Sequence, residues 1–377
     1  MAEHWAPGLV PSPTAEKAIR RAMDGSSTLV LDLPAMSRSM SLLSAEARRA
    51  GLRLLHTVKA SSLPVVLREA SKHGLGFDVS NQREWATVTS ALGHGHVISL
   101  TPSTLPPGEL AWAGQMLRTG KIARLHVDSV RQLETLVSCT SPGPIGLRLN
   151  IRDDAWPPDV PARRVSRFGV PEEATDAVLD VVNRTGHQVA WLHLHNASEK
   201  NNADSFTQSL KLMLHRAAAF GGTIRQVNLG GGLPNLPAHE LGGLFGSLTR
   251  AAPDVEIVLE PGRWWSRGSV SLVTQILDIK VGPRCVFVVI NTGSESRRWS
   301  VPTMPTLGPD PHRPDLPYVL CGVSAYEQDY FGQVTPDPDA DVPKVGDWLV
   351  LGGLSTYSVE LSTNFNGLRT DIIVVEE

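Results

Sequence analysis

From residue 52 onward the chain alternates short apolar runs with stretches whose apolar residues recur at helical spacing. The runs are 52–59, 75–80, 96–101, 122–127, 145–151, 189–195, 224–229 and 255–260, eight in all. Between them, segments such as 63–72, 82–91, 130–137, 172–183 and 205–219 read as amphipathic helices. Eight strand–helix repeats predict a (β/α)8 barrel. The rival, an open doubly wound sheet, would be supported by a Gly-x-Gly-x-x-Gly turn, and none follows these strands.

The pattern changes near Gly268. Runs at 269–279, 285–290, 318–320, 348–351 and 368–375 follow one another without intervening helices, separated by Pro and Gly. Such spacing predicts a β-rich sandwich or small barrel. Ahead of the barrel, residues 27–32 form a further strand candidate, and 35–50 a helix. The Pro- and charge-rich segment 152–166 reads as a mobile loop at the barrel mouth or, equally, a plain surface connection.

Composition narrows the class without naming a function. The 377 residues are 41% hydrophobic and 19% charged, the balance of a globular chain long enough for two domains. A net charge of -3 gives no electrostatic reason to expect nucleic acid or a membrane surface as partner. No apolar run is long enough to span a bilayer, and the first residues lack the basic-then-apolar order of a signal peptide. Cys139, Cys285 and Cys321 are scattered and odd in number, which suits a reducing cytoplasm better than a disulfide framework or a zinc site.

In such barrels the chemistry lies where strands run into the following loops. Those positions hold Lys59, Asp78, Arg148, His195, the glycine run Gly230-Gly231-Gly232, and Glu260-Pro261-Gly262-Arg263. Singly each is weak, since a glycine run is often a tight turn and a strand-end Asp is often a helix cap. Together they describe a site for an anionic aldehyde. A lysine amine forms a Schiff base with a carbonyl, glycine-rich backbone presents N–H groups to a phosphate, and Arg263 adds a charged donor. Glu260 beside a pyridine nitrogen would keep it protonated, and His195 would lie flat on the ring. The combination points to pyridoxal 5'-phosphate.

The motifs resemble those of the fold-type III pyridoxal-phosphate decarboxylases, the group of ornithine, arginine and diaminopimelate decarboxylases. In order they are "HTVKA" at 56–60, "GFDVS" at 76–80, "SRFGV" at 166–170, "HLHNAS" at 193–198, "LGGG" at 229–232, "EPGR" at 260–263 and "VGDWLVLGGLSTYSVELSTNFNG" at 345–367. The resemblance implies a barrel over 33–268. It also implies a β domain built from 1–32 plus 269–377, which takes in the N-terminal strand, completes the active site and forms a homodimer interface. It further implies that Lys59 holds the cofactor, His195 stacks on it and Glu260 meets the ring nitrogen. Ser198, Gly231, Gly232, Gly262, Arg263 and Tyr357 would hold the phosphate, with Asp78 and Arg148 beside the lysine and ring.

Some positions depart from the family pattern. The segment 322–329, "GVSAYEQD", keeps the glycine and aspartate of the family's Gly-x-x-Cys-x-x-x-Asp. Ala325 stands where the proton-donating cysteine belongs, and Tyr326 where an acidic substrate reader belongs. Ala197 replaces a glycine and Asn228 an aspartate, and the region of Trp299 lacks the aspartate that would read a distal amine. Arg297 and Arg298 precede it, either as carboxylate readers or as solvated surface arginines. The expected activity is decarboxylation of an amino acid or conjugate, with Tyr326 among the catalytic groups and Arg297, Arg298, Tyr326 and Asp329 facing the substrate. Alternatives are decarboxylation-dependent transamination, racemisation, or a cofactor-binding protein without turnover. A metal hydrolase using the His193/His195 pair would need further histidine ligands at other strand ends.

Overall fold

Polar residues at the ends of each apolar run trim it to a shorter strand. The computed structural model describes residues 11–150, 166–195, 202–297, 300 and 302–376. After β1 (Thr28–Asp32) and the helix Leu33–Ala50 come β2 (Arg53–Thr57), β3 (Gly76–Val79), β4 (Ile98–Leu100) and β5 (Arg124–Val127). β6 (Pro144–Arg148), β7 (Gln188–His193), β8 (Gln226–Asn228) and β9 (Glu256–Leu259) follow. These eight, β2 to β9, form a closed barrel of parallel neighbours, sealed where Arg53 and Leu54 pair with Val258 and Leu259. The helices between them are amphipathic as the spacing predicts, and several start on a side-chain cap. Asn81, Ser129 and Asn202 each accept an N–H from the first turn of the next helix.

The strand starts are tied by one carboxylate. Glu256, the first residue of β9, accepts from Arg53 Nε at 2.5 Å, from Arg124 Nη2 at 2.9 Å and from the Gln226 amide. These donors begin β2, β5 and β8, so the network clamps the end of the barrel opposite the chemistry.

The remaining strands are β10 (Val270–Val281), β11 (Val286–Ile290), β12 (Tyr318–Gly322), β13 (Tyr330–Val334), β14 (Trp348–Leu354) and β15 (Asp371–Val375). They form one sheet in the order β13-β12-β11-β10-β1-β15, with β14 also paired to β10. The N-terminal strand β1 thus sits between β10 and β15. The chain divides into a barrel unit, Met40–Trp264, and a β unit, Met1–Ser39 with Trp265–Glu377. The division falls inside the expected 33–268 because the helix Leu33–Ala50 straddles it.

Three elements were not expected. β13 is an edge strand with exposed Tyr330 and weak alternation. A short helix, Tyr357–Glu360, interrupts the β-rich region. The helix Pro13–Ala22 starts on a Ser12 cap and packs Ala15, Ile19 and Ala22 against Val30, Val273 and Val375. Because Ile19 is buried in that cluster, Ile19→Ala should destabilise the β unit by about 2 kcal/mol. Urea titration read by circular dichroism would check it, and an unchanged midpoint would show that this helix adds nothing to the fold.

Candidate active site

The chemistry sits just beyond the strand ends. β2 stops at Thr57, not at Lys59 as the apolar run suggested, and Val58–Ala60 wind into one 3-10 turn. Val58 and Ala60 are buried and Lys59 is exposed. His56 pins the turn by donating Nε2–H to the Ser61 carbonyl at 2.9 Å. Burial lowers its pKa to about 4, so the ring is neutral at physiological pH.

Two carboxyl groups meet inside the barrel in opposite states. Glu260, the residue after β9, accepts from Asn228 Nδ2 at 2.7 Å, and His193 Nε2 lies 3.3 Å from the same oxygen. Burial alone would raise its pKa, but His193, then Lys59 and His195, outweigh burial and hold it well below the usual range. Asp78, paired with Thr57 across β2 and β3, is raised well above that range by burial and then by the Glu260 charge. Its Oδ1 is buried with no hydrogen-bond partner among the described residues. The barrel interior thus pushes the two acids in opposite directions, Asp78 toward the neutral form and Glu260 toward the anion.

His195 lies two residues past the end of β7, so His193 and His195 do not share a strand face. Burial and the Lys59 charge lower its pKa to about 3, and its Nδ1 accepts the Gly231 N–H at 3.2 Å. A neutral imidazole with Nε2 protonated follows. Gly230 has φ +68°, and a Cβ there would lie 2.6 Å from His195 Nδ1. At Gly231 a Cβ would lie 2.7 Å from the Glu260 carbonyl oxygen. Only glycine passes between these groups; Gly232 completes the turn. Across it, the Glu260 N–H donates to the Gly230 carbonyl and the Gly262 N–H to the Glu260 carbonyl, at 2.8 and 2.9 Å. Gly262 and Arg263 open the short helix Gly262–Ser266.

Arg148 ends β6 with Nη1 3.4 Å from Asp128 Oδ1 and its guanidinium 4.2 Å over the Phe168 ring. Arg167 lies 3.9 Å from the same ring, and Val170 bridges Leu149, which ties the "SRFGV" stretch to β6. Asp128, Phe168, His126 and the part played by Asn228 were not identified from sequence. His126 and His193 lie with ring centroids 5.4 Å apart, both lowered by burial first. Histidines therefore do line the barrel interior beyond the His193/His195 pair. Among the described residues, however, no group of three or more His, Cys, Asp or Glu side chains is arranged to hold a metal ion. An amine, an anionic carboxylate, a neutral imidazole and a glycine turn that any Cβ would fill suit a planar anionic aldehyde. The residues fit pyridoxal phosphate.

The β unit holds the other expected residues. Arg297 donates Nε–H to the Tyr330 carbonyl at 2.9 Å, and Tyr357 begins its short helix. Tyr326 is 51% exposed, meets Phe365 edge-on and donates its hydroxyl to Gln328. Asp329, in contrast, is buried. It accepts from the Ser294 N–H at 2.5 Å and from the Ser324 N–H and hydroxyl at 3.0 and 2.5 Å. Its carboxylate thereby holds the loop that carries Tyr326. Ser198, Arg298 and most of the segment 152–166 lie outside the described residues.

Burial would raise the Asp329 pKa, but the Ser324 and Ser294 donors lower it. Its contribution to stability is therefore present above the unfolded value of ~3.9 and lost as pH falls through the lower folded value. Asp329→Asn should cost about 1–2 kcal/mol at pH 7. Thermal melts of the two proteins should converge on acidification; a gap that stayed constant to pH 2 would contradict the assignment.

Comparison with known proteins points to the same cofactor. Residues 37–267 match the model of the pyridoxal-dependent decarboxylases, pyridoxal binding domain. A carboxynorspermidine/carboxyspermidine decarboxylase of Herminiimonas arsenicoxydans is 24% identical over 260 residues, covering 67% of this chain and 68% of that protein. Antizyme inhibitor 2 of Xenopus laevis is 21% identical over 347 residues, covering 83% of this chain and 73% of that one. The arginine decarboxylase of Paramecium bursaria Chlorella virus superposes with a TM-score of 0.77 at 20% identity, over 97% of this chain and 100% of that one. The chain belongs to the pyridoxal-dependent decarboxylases, carboxy-lyases whose cofactor is pyridoxal phosphate.

Proposed function

We propose that the protein decarboxylates an amino acid or amino-acid conjugate in the cytoplasm, as a homodimer whose active sites are shared between copies. The observation that supports this reading best is Lys59, an amine on a pinned turn, grouped with an ionised Glu260 and a neutral His195. Pyridoxal phosphate, when bound, supplies the electron sink that decarboxylation requires. Lys59 would hold it through Nζ, Glu260 would keep its ring nitrogen protonated, and His195 would pack against its ring. Gly231, Gly232, Gly262, Arg263 and Tyr357 hold the phosphate. Asp78 and Arg148 set the charge around Lys59. A conjugate bearing a carboxylate besides the one that is lost would suit Arg297 as its reader.

Release of an amine needs a proton at the α-carbon, and Ala325 has none to give. Tyr326 is the adjacent ionisable group, and we assign it that delivery, with the freed Lys59 amine as the other source. Ala325 also favours a second reading, in which no residue protonates the α-carbon and the product would be a carbonyl compound whose amino group stays with the cofactor.

Borohydride reduction followed by peptide mapping should place the cofactor label on Lys59 alone, and Lys59→Ala should abolish labelling. A label on another lysine would refute the site. Screening amino acids and conjugates for carbon dioxide release, with mass detection of the product, distinguishes amine from carbonyl. Tyr326→Phe should lower the yield of amine at least about tenfold; an unchanged yield removes Tyr326 as donor. Mixing Lys59→Ala with Tyr326→Ala should restore up to about a quarter of the activity in heterodimers if sites are shared. No recovery despite demonstrated subunit exchange would exclude sharing.

A further inference from the structure

Asn228 is the last residue of β8, fully buried, and both ends of its amide are engaged. Oδ1 accepts the Gly230 N–H at 2.9 Å, which turns Nδ2 toward Glu260, 2.7 Å away. The orientation of the amide is fixed by chemistry, because a backbone N–H can face only the carbonyl end. Asn228 therefore links the carboxylate at one end of the site to the glycine turn at the other. The aspartate that the family pattern leads one to expect would instead set a second carboxylate against Glu260, and the pair would have to share a proton. We propose that Asn228 is the positioning residue for Glu260, locking it as an anion at the distance from the glycine turn that the cofactor spans. This rests on Glu260 being the partner of the ring nitrogen.

Other groups also face Glu260: His193 from β7, His195 from the loop after it, and Lys59 from the turn after β2. Asp78 on β3, His126 on β5 and Arg148 on β6 act on it too. Among these only Asn228 joins Glu260 to the glycine turn through two hydrogen bonds of its own side chain.

The test compares pyridoxal phosphate with 1-deazapyridoxal phosphate, which has carbon in place of the ring nitrogen. Each is titrated into the full-length protein after removal of bound cofactor, with affinity read by fluorescence. Asn228→Ala should weaken pyridoxal phosphate by roughly tenfold or more and the deaza analogue far less. Equal losses for the two would mean that Asn228 only shapes the turn, and would overturn the proposal. Asn228→Asp keeps size and the Gly230 link, which guards against misfolding. It should make the preference for the nitrogen-bearing cofactor vary between pH 6 and 9, where the wild type is constant; a constant preference in both would likewise overturn it. Glu260→Gln separates the premise from the inference. If Glu260→Gln leaves the preference intact, the reading of Glu260 fails; if it removes the preference while both Asn228 variants keep it, the role given to Asn228 fails.

Discussion

A carboxylate buried inside a barrel of apolar strands survives as an anion only if the barrel brings donors and positive charge to it. Glu260 receives them from several directions: the Asn228 amide, His193 at the end of β7, and the nearby Lys59 charge. The rest of the site is arranged around that anion. Asp78 is pushed toward its neutral form, by burial first and then by that charge, since two anions in one dry volume cost more than one. His56 is neutral because of burial, and His195 because of burial and then the Lys59 charge. Arg148 keeps its charge against Asp128 and the face of Phe168.

Backbone hydrogen bonds, more than long side chains, set the spacing of these groups. The glycine turn after β8 donates to His195 through Gly231, donates to Asn228 through Gly230, and accepts from the Glu260 N–H. Those bonds exist because the turn has no Cβ atoms to hold its neighbours apart. The His195 imidazole, the Glu260 carboxylate and the glycine turn thus become one hydrogen-bonded body. Catalytic geometry built this way resists drift better than groups set on independent loops.

The legibility of the sequence follows from the range of the interactions concerned. All eight barrel strands were readable, because buried strands must be apolar runs and the helices between them must be amphipathic. Strand ends were not. No Gly or Pro marks a break between Thr57 and Lys59, and the turn is placed by a His56–Ser61 hydrogen bond that periodicity does not encode. Likewise β13 is an edge strand and escaped notice, and the helix Pro13–Ala22 buries mostly alanine. Within the site, Lys59, His195 and Glu260 were legible from side-chain chemistry alone. Asp128 became visible only through Arg148, a partner 20 residues away, and Asn228 only through Glu260, 32 residues away. A neutral amide gives no chemical signal until the group it orients is known.

The loop Gly322–Asp329 shows how an absent residue can be reasoned about. Cys321 does not stand in for the thiol that the resemblance leads one to expect at position 325. It belongs to β12, where it pairs with Val289 and Tyr330, and its sulfur lies 3.7 Å from the Val288 and Val319 carbonyls. Burial, then the Asp329 charge, raises its pKa, so it is a weaker acid than a free thiol. To take the place of Ala325 it would have to leave the β12–β13 ladder. Ser324 is also engaged, its hydroxyl donating to Asp329. Asp329 is an anion with three donors on it and has no proton to offer. Among the ionisable or hydroxyl-bearing groups between Cys321 and Asp329, that leaves Tyr326 and Glu327. A phenol is a side chain that carries a proton at neutral pH. The same hydrogen bonds that hold the Asp329 carboxylate fix the loop that presents Tyr326, so the substitution of cysteine by alanine moves the question of the proton onto the neighbouring side chain.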